Sequence, residues 1–330
     1  MQDKIIEAKN LKKWFPLRTG FLSTLLKSEL YVKAVDDISF DIRKGEIFGL
    51  AGESGSGKTT TGKLLIRLID PTAGEIIFKG EDIAKYPENK LKSYRKKVQI
   101  VFQDPYESLN PRFLVEDILS EPLLIHGMHD QKEISEKIYN VLEAVKLIPP
   151  EEFLSRYPHE LSGGQRQRVA TARALMLDPE FIVADEPVSM LDVSIRAEVL
   201  NVILDLRNKF NVAFLLITHD LALARHICDR IAVMYLGKIV EMASVEDLVF
   251  KPLHPYTKAL IEAVPIPDPT VKRIESVIKG EIPSPVNPPA GCHFHTRCPS
   301  YIGDICRTKE PELVELEKDH YIACHLYSKA

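Results

Sequence analysis

Short apolar runs alternate with amphipathic stretches over about the first 240 residues of this chain. The runs are continuously apolar, which predicts parallel strands covered on both faces rather than strands with one wet face. They are EIFGLAG (46–52), VQIVF (98–102), FIVADE (181–186) and AFLLITH (213–219). Between them, apolar residues recur at helical spacing in 58–69, 133–147 and 196–210. This alternation predicts an α/β domain.

Three stretches depart from that alternation. Residues 231–243 predict a closing hairpin that turns at Leu236-Gly237-Lys238. Residues 104–174 have helical patterns and proline breaks but no convincing strand, which predicts a helical subdomain. From residue 251 onward prolines are dense, and we expect extended segments and turns with little sheet. We therefore predict a nucleotide-binding domain over 1–250 and a small Pro/Cys-rich domain over 251–330.

Composition narrows the class of protein. The 330 residues are 45% hydrophobic and 27% charged, as in a soluble globular protein, and the formal net charge of −4 gives no reason to expect a nucleic-acid partner. The N-terminus has no apolar signal-like region, and the most apolar run, VAFLLI (212–217), is far shorter than the roughly 20 residues of a membrane span. We expect a cytosolic chain that works at a membrane only as a peripheral subunit.

A phosphate-binding loop is the first chemical signal. GESGSGKT (52–59) fits G-x-x-x-x-G-K-[ST] and lies between a predicted strand and a predicted helix, the context that this motif requires. Its glycines let backbone N–H groups wrap phosphates, its lysine reaches the β- and γ-phosphates, and its threonine ligates Mg²⁺. The predicted nucleotide-binding residues of this loop are Gly52, Ser54, Gly55, Gly57, Lys58, Thr59 and Thr60.

Two carboxylates end the predicted strand FIVADE. Ligands of open α/β sheets bind at the carboxyl ends of the strands, which is where Asp185 and Glu186 lie. We expect Asp185 to hold Mg²⁺ and Glu186 to polarise the attacking water. Taken alone such a pair is commonly two loop acids, but downstream of a phosphate-binding loop the catalytic interpretation is favoured.

LSGGQ (161–165) is identical to the signature motif of the ATP-binding cassette ATPases, which this chain resembles. The resemblance implies a P-loop NTPase core of RecA-like fold with a helical subdomain, and activity as an ATPase dimer. It also implies that Ser162, Gly163, Gly164 and Gln165 face the ATP held by the opposite subunit.

The other positions of that family are matched one at a time. Gln103 matches the glutamine that senses Mg²⁺, and His219 matches the switch histidine that contacts the γ-phosphate. Asp192, in SMLD, matches the loop at the dimer interface, although the family more often has alanine where Met190 stands. Phe15 fits the aromatic that stacks on adenine, with Trp14 as the alternative; either residue is otherwise a core aromatic.

The resemblance extends to the ATPases of oligopeptide and dipeptide importers, most of all to their second, F-type subunits. The segments that carry it are QDPYESLNPR (103–112), HPYTKALIEAVP (254–265) and GCHFHTRCP (291–299). It implies a paired ATPase (a heterodimer), two membrane permease subunits, a substrate-binding protein and a place on the cytoplasmic face of the membrane. Nickel or oligosaccharide cargo, and a soluble ATPase of repair or translation, are the alternatives.

The last quarter of the chain contains four of its five cysteines, which are Cys292, Cys298, Cys306 and Cys324. Four thiols predict tetrahedral Zn²⁺ or an iron–sulfur cluster, or else a small core of reduced cysteines. His293, His295 and His325 could replace a thiolate, although histidines with no ligand role are the favoured interpretation. The resemblance favours a four-iron four-sulfur cluster. Arg297 and Arg307 would offset its charge or would simply be exposed.

Overall fold

The structure is a computed structural model that describes residues 3–17, 30–263, 278, 280–286 and 288–327. Its strands are β1 (Lys4–Pro16), β2 (Tyr31–Arg43), β3 (Ile47–Ala51), β4 (Ala73–Phe78), β5 (Glu81–Asp82), β6 (Val98–Val101), β7 (Phe181–Asp185), β8 (Ala213–Thr218), β9 (Arg230–Tyr235), β10 (Lys238–Ser244), β11 (Val314–Glu317) and β12 (His320–Ile322). Its helices are α1 (Lys58–Leu65), α2 (Glu88–Lys97), α3 (Pro105–Ser108), α4 (Val115–Ile125), α5 (Gln131–Ala144), α6 (Glu151–Leu154), α7 (Gly163–Leu175), α8 (Val193–Phe210), α9 (Leu221–Ile227), α10 (Val245–Phe250), α11 (Pro255–Glu262) and α12 (Asp304–Thr308).

The chain divides into two compact units. The first unit comprises Met1–Ile5, Ile42–Ile47 and Lys85–Ile217, and the second comprises Ile6–Asp41, Phe48–Ala84 and Thr218–Ala330. In the described part of the chain, no helix has both the length and the apolar character needed to cross a membrane.

Parallel strands and a group of helices make up the first unit. β7 pairs with β6 on one side and with β8 on the other, both in parallel. All five side chains of β7 are buried, which is why FIVAD has no alternating polar positions. Helices α3 to α7 follow β6 with no strand among them, as the pattern over 104–174 predicts. In α5, Ile134, Ile138 and Val141 form the buried stripe of an amphipathic helix.

Two sheets make up the second unit. One has the order β2-β1-β4-β5, and the other strands run in the order β11-β12-β10-β9-β3. The strands β9 and β10 form the predicted hairpin, and its turn residues Leu236 and Gly237 have φ of 42° and 79°. Helices α1, α9, α10 and α11 belong to the same unit.

The strands and helices expected from hydrophobic patterning are confirmed, with ends that shift by a few residues. The expectation of extended segments and turns from residue 251 was wrong at the helices α11 and α12. It also missed the hairpin β11–β12, in which β12 pairs with β10 through Glu241↔Ile322. The strands β11 and β12 have four and three residues, too few for an alternating pattern to be visible in the sequence. The partner of β12 in the sheet, β10, lies about eighty positions earlier in the chain. The proline-rich run VPIPDPT (264–270), predicted to be extended, lies outside the described residues.

Candidate functional site

The phosphate-binding loop lies between β3 and α1, as predicted, and its backbone needs glycine at two points. Gly52 and Gly57 have φ of 149° and 106°, in the region that side chains disfavour. A Cβ at Gly52 would lie 2.2 Å from the carbonyl oxygen of Met234, and one at Gly57 would lie 2.1 Å from that of Ala34. The loop is therefore packed tightly on its inner side, and backbone N–H groups rather than side chains form its cradle.

Lys58 holds its ammonium group within this loop. The side chain is buried, and Nζ donates to the carbonyl oxygens of Gly52 at 2.7 Å and Glu53 at 2.9 Å. These neutral acceptors are weaker than phosphate oxygens, which form charge-assisted bonds with ammonium groups. The loop thus holds the ammonium group of Lys58, a charge suited to binding the phosphates of a nucleotide.

The remaining predicted nucleotide contacts of the second unit lie on its surface. Ser54 and Thr59 are exposed, and Thr60 is half-buried. His219 is exposed and directly precedes α9, whose N-cap Asp220 accepts from the N–H groups of Ala222 and Leu223.

The two candidate adenine-stacking aromatics differ in their contacts. Each ring has a lysine ammonium near its centroid, Lys33 at 4.7 Å from Trp14 and Lys13 at 5.0 Å from Phe15. The indole of Trp14 also donates to Asp36 at 3.0 Å, whereas Phe15 is 38% exposed. Because Trp14 is already held by polar partners, Phe15 is the better candidate for a stacking ring.

In the first unit, the structure brings two predicted catalytic residues together. Asp185 is buried at the end of β7, and Glu186 follows with a φ of 45°. The Nε2 of Gln103 donates to Oε2 of Glu186 at 3.3 Å. Oxygen ligands of the type offered by Asp185 and Gln103 are those that Mg²⁺ prefers, so these residue types fit the ion.

The signature segment opens α7 with a reciprocal capping box. The backbone N–H of Ser162 donates to Oε1 of Gln165 at 2.9 Å, and the N–H of Gln165 donates to Oγ of Ser162 at 3.3 Å. A Cβ at Gly164 would lie 2.5 Å from Cγ2 of Ile195, so only glycine allows this approach of α7 to α8. Gly163 is the first residue of the helix, and Asp192 is exposed at the N-cap of α8.

The prediction of a metal cluster in the C-terminal region is wrong. Within the described residues, which include all five cysteines, no group of three or more His, Cys, Asp or Glu side chains is placed to hold a metal ion. The predicted ligands Cys292, Cys298, Cys306 and Cys324 are free thiols, so neither the iron–sulfur cluster nor the zinc alternative is supported.

Burial governs the electrostatics of two of these cysteines. Burial raises the pKa of Cys292 to about 12 and that of Cys324 to about 11, and neighbouring cysteines raise both further. With no metal ion bound, these two thiols keep their protons at neutral pH. The region is held instead by contacts such as the bond from the N–H of Cys292 to the carbonyl oxygen of Cys306, at 2.8 Å.

Sequence reasoning missed a group of residues beside the phosphate-binding loop. Arg297, expected either to balance a cluster or to be exposed, is half-buried and forms two hydrogen bonds with the carboxylate of Glu53. Arg307 is exposed and pairs with Asp304. The only signal of a functional Arg297 was its position in HTRCP, which does not reveal a partner 244 positions earlier.

Comparisons with known proteins agree with the motifs. The family described as "ABC transporter" matches residues 35–189, and the family described as "Oligopeptide/dipeptide transporter, C-terminal region" matches residues 240–306. The oligopeptide transport ATP-binding protein AppF of Bacillus subtilis (strain 168) is 51% identical over 99% of this chain and 98% of its own length. The putative oligopeptide transport ATP-binding protein YkfD of the same organism is 50% identical over 91% of both chains.

Solved structures show the same fold. The ATP-binding cassette MJ0796, solved as a dimer in a post-hydrolysis state with ADP and Pi, is 27% identical and aligns with a TM-score of 0.62 over 73% of this chain and 98% of its own. The cbiO1 protein of Clostridium perfringens, at 24% identity, has a TM-score of 0.65 over 76% of this chain and 92% of its own. The predicted P-loop NTPase fold and ATPase activity are thereby confirmed. This chain belongs to the ABC transporter ATPases, in the group of oligopeptide/dipeptide transporters.

Proposed function

We propose that this chain is the ATP-hydrolysing subunit of an importer of dipeptides or oligopeptides. The observation that carries the proposal is an intact phosphate cradle, with Lys58 held by the loop carbonyls, in a chain that is 51% identical along 99% of its length to an oligopeptide transport ATP-binding protein. Such a cradle binds the triphosphate, and the relationship supports peptides as the cargo.

The roles of the nucleotide-binding side chains follow from their chemistry. Lys58 would bind the β- and γ-phosphates, and Phe15 would stack on adenine. The hydroxyl of Thr59, the carboxylate of Asp185 and Gln103 would hold Mg²⁺. The loop residues Gly52, Ser54, Gly55, Gly57 and Thr60 complete the phosphate contacts. Bound Mg²⁺ would neutralise charge that develops on the phosphate oxygens.

Hydrolysis needs a group that orients water and a group that senses the γ-phosphate. Glu186 accepts a hydrogen bond from the attacking water and orients it, and the bond from Gln103 fixes one of the carboxylate oxygens. His219 contacts the γ-phosphate. The catalytic set is therefore Glu186, His219 and Gln103, and its power comes from positioning and charge stabilisation.

Two chains complete the cycle. The capped start of α7, at Ser162, Gly163, Gly164 and Gln165, presents donors to the ATP of the opposite subunit, and Asp192 lies at the interface between the subunits. ATP closes the dimer, and loss of the γ-phosphate reopens it. A second, different ATPase subunit, two membrane permeases and a substrate-binding protein are the proposed partners, at the cytoplasmic face of the membrane.

The same proposal assigns the parts of the chain. Residues 1–250 form the nucleotide-binding domain, 104–174 are its helical subdomain, and 251–330 form an extension typical of the oligopeptide/dipeptide group. That 240–306 match the C-terminal region of this group supports the last assignment.

The experiment is purification of the assembled transporter from native membranes through a tag on this chain, followed by uptake into proteoliposomes that contain ATP. We expect uptake of labelled dipeptides or oligopeptides that Lys58→Ala abolishes and that Lys63→Ala, on the same helix, preserves. Uptake of nickel or an oligosaccharide in place of peptides would overturn the assignment of peptides as the cargo. Recovery of this chain with ribosomes or DNA instead of permeases would overturn its assignment as an importer subunit.

A further inference from the structure

The second unit contains a polar contact between the C-terminal region and the phosphate-binding loop. NH1 of Arg297 donates to Oε2 of Glu53 at 2.8 Å, and NH2 donates to Oε1 at 3.2 Å. Glu53 is the second residue of the loop, directly after Gly52. The side chain of Arg297 is 8% exposed and that of Glu53 27%, so this two-point ion pair is largely shielded from water. Such a pair fixes both the place and the orientation of the carboxylate.

A second contact reaches the backbone of the same loop residue. The N–H of Glu53 donates to the phenol oxygen of Tyr256 at 2.9 Å, and Tyr256 is fully buried near the start of α11. The carbonyl oxygen of Glu53 in turn accepts a hydrogen bond from Nζ of Lys58 at 2.9 Å. The side chain, the N–H and the carbonyl of Glu53 are thus all held, two of them by residues that lie beyond position 250.

An aromatic cluster fixes the two residues that reach the loop. The ring of Phe294 lies 5.2 Å from that of Tyr235 and 5.3 Å from that of Tyr256. Phe294 accepts at its carbonyl from the N–H of Arg297 at 3.0 Å, so the turn that buries this phenylalanine also aims the arginine. NH1 of Arg297 also lies 3.4 Å from the hydroxyl of Tyr235. Arg297 and Tyr256 therefore share contacts with the same two residues, Phe294 and Tyr235.

The charge of Glu53 gives this arrangement a consequence for nucleotide binding. A carboxylate in a loop that receives phosphates opposes the approach of further negative charge, at a range that water screens poorly near a protein surface. The guanidinium of Arg297, bound to both carboxylate oxygens, neutralises this charge and restricts the rotation of the Glu53 side chain. Loss of Arg297 would therefore release both a charge and a backbone segment next to Lys58.

We propose that Arg297 and Tyr256 are positioning residues that hold Glu53, and through it the phosphate-binding loop, in the conformation that receives the phosphates of ATP. Neither residue touches the nucleotide in this proposal. The C-terminal region of the chain therefore sets ATP affinity from within the same chain. The ligand whose binding it tunes is the Mg²⁺ complex of a nucleoside triphosphate.

The test is the affinity of the full chain for Mg–ATP, measured by isothermal titration calorimetry. We expect Arg297→Ala to weaken binding about tenfold, the effect of losing about 1.4 kcal/mol. Arg297→Lys should give an intermediate affinity, since it restores the charge without the fork. Arg307→Ala is the matched control, because that arginine is exposed and forms a local ion pair with Asp304, and it should bind within about twofold of wild type.

Two further variants separate positioning from general stability. Tyr256→Phe removes one oxygen and keeps the buried ring, and we expect several-fold weaker ATP binding with a small change in melting temperature. In a Glu53→Ala background, Arg297→Ala should have little further effect, because its partner is gone. The proposal is overturned if Arg297→Ala binds ATP like wild type once folding is verified. It is equally overturned if the full loss persists in the Glu53→Ala background, which would mean a direct effect of the arginine's charge.

Discussion

Phe294→Ala is the sharpest test of what holds the C-terminal region together. The ring is 1% exposed and lies 5.2, 5.3 and 5.7 Å from the rings of Tyr235, Tyr256 and His254. Truncation of a buried phenylalanine costs about 3–5 kcal/mol, and each aromatic pair contributes roughly 0.5–1.5 kcal/mol of that kind of loss. Because Phe294 has three ring neighbours, we expect Phe294→Ala to lower the local stability of the C-terminal region by about 4 kcal/mol.

The assay is native-state hydrogen exchange at the backbone N–H of Cys292, which is bonded to the carbonyl of Cys306 and so reports local opening. A loss of about 4 kcal/mol raises the open population roughly a thousandfold. Phe250→Ala is the matched control, since that ring is 62% exposed and contacts Arg225 at the surface, and it should change exchange less than about fivefold.

Two results would refute this reasoning. Exchange in Phe294→Ala no faster than in Phe250→Ala would mean that the aromatic cluster does not hold the region. A large increase in exchange on adding a chelator to wild type would mean that a metal does, against the absence of a ligand group among the described residues.

Three further outcomes follow from the geometry. Gly57→Ala should abolish ATP binding in a titration, because its Cβ would lie 2.1 Å from the carbonyl oxygen of Ala34; wild-type affinity would contradict the loop geometry. Ser162→Ala should lower ATP turnover of the assembled transporter and cost about 1 kcal/mol of helix stability by urea unfolding, with Ser162→Asn retaining the cap. His254→Asn should reduce the drop in melting temperature between pH 7 and pH 5. A drop as large as that of wild type would contradict this prediction.

The sign of the histidine effect comes from burial. His254 caps α11 by accepting from the N–H of Tyr256 at Nδ1, and burial lowers its pKa to about 4, against an opposing effect of Glu241. The unfolded chain takes up a proton near pH 6.5, which the folded chain accepts only near pH 4. Stability therefore falls as pH drops through that window, by about 3 kcal/mol in total. Asparagine keeps a capping acceptor and does not titrate.

Hydrophobic patterning predicted the central strands because burial on both faces leaves only one kind of side chain there. FIVAD and AFLLIT are strands for that reason, whereas VQIV, at the end of its sheet, has a half-buried Gln99. Helix α5 is predictable from its apolar stripe. The loop over 52–59 was equally readable, since its backbone conformation demands glycine at fixed places. A segment could therefore be predicted wherever its own residues restrict the structure it can form.

The C-terminal region could not be read in the same way. The pairing of Arg297 with Glu53 and of Tyr256 with the same residue joins positions more than 200 apart, and no local pattern encodes such contacts. The metal prediction was wrong because cysteine spacing does not distinguish a ligand from a small buried hydrophobe. Cys324 is buried and Cys292 is half-buried, and in the structure both are free thiols packed among neighbouring residues.

The most direct test of the ATPase account is the turnover of ATP by the assembled transporter carrying Glu186→Gln. Gln103 donates to this carboxylate, which we assign to the attacking water, and removing a general base of this kind slows hydrolysis by about 10²–10⁴-fold. We predict that the variant binds ATP normally and hydrolyses it at least about a hundredfold more slowly, while Glu152→Gln, on the surface helix α6, turns over like wild type. Turnover by Glu186→Gln close to that of wild type would contradict the account.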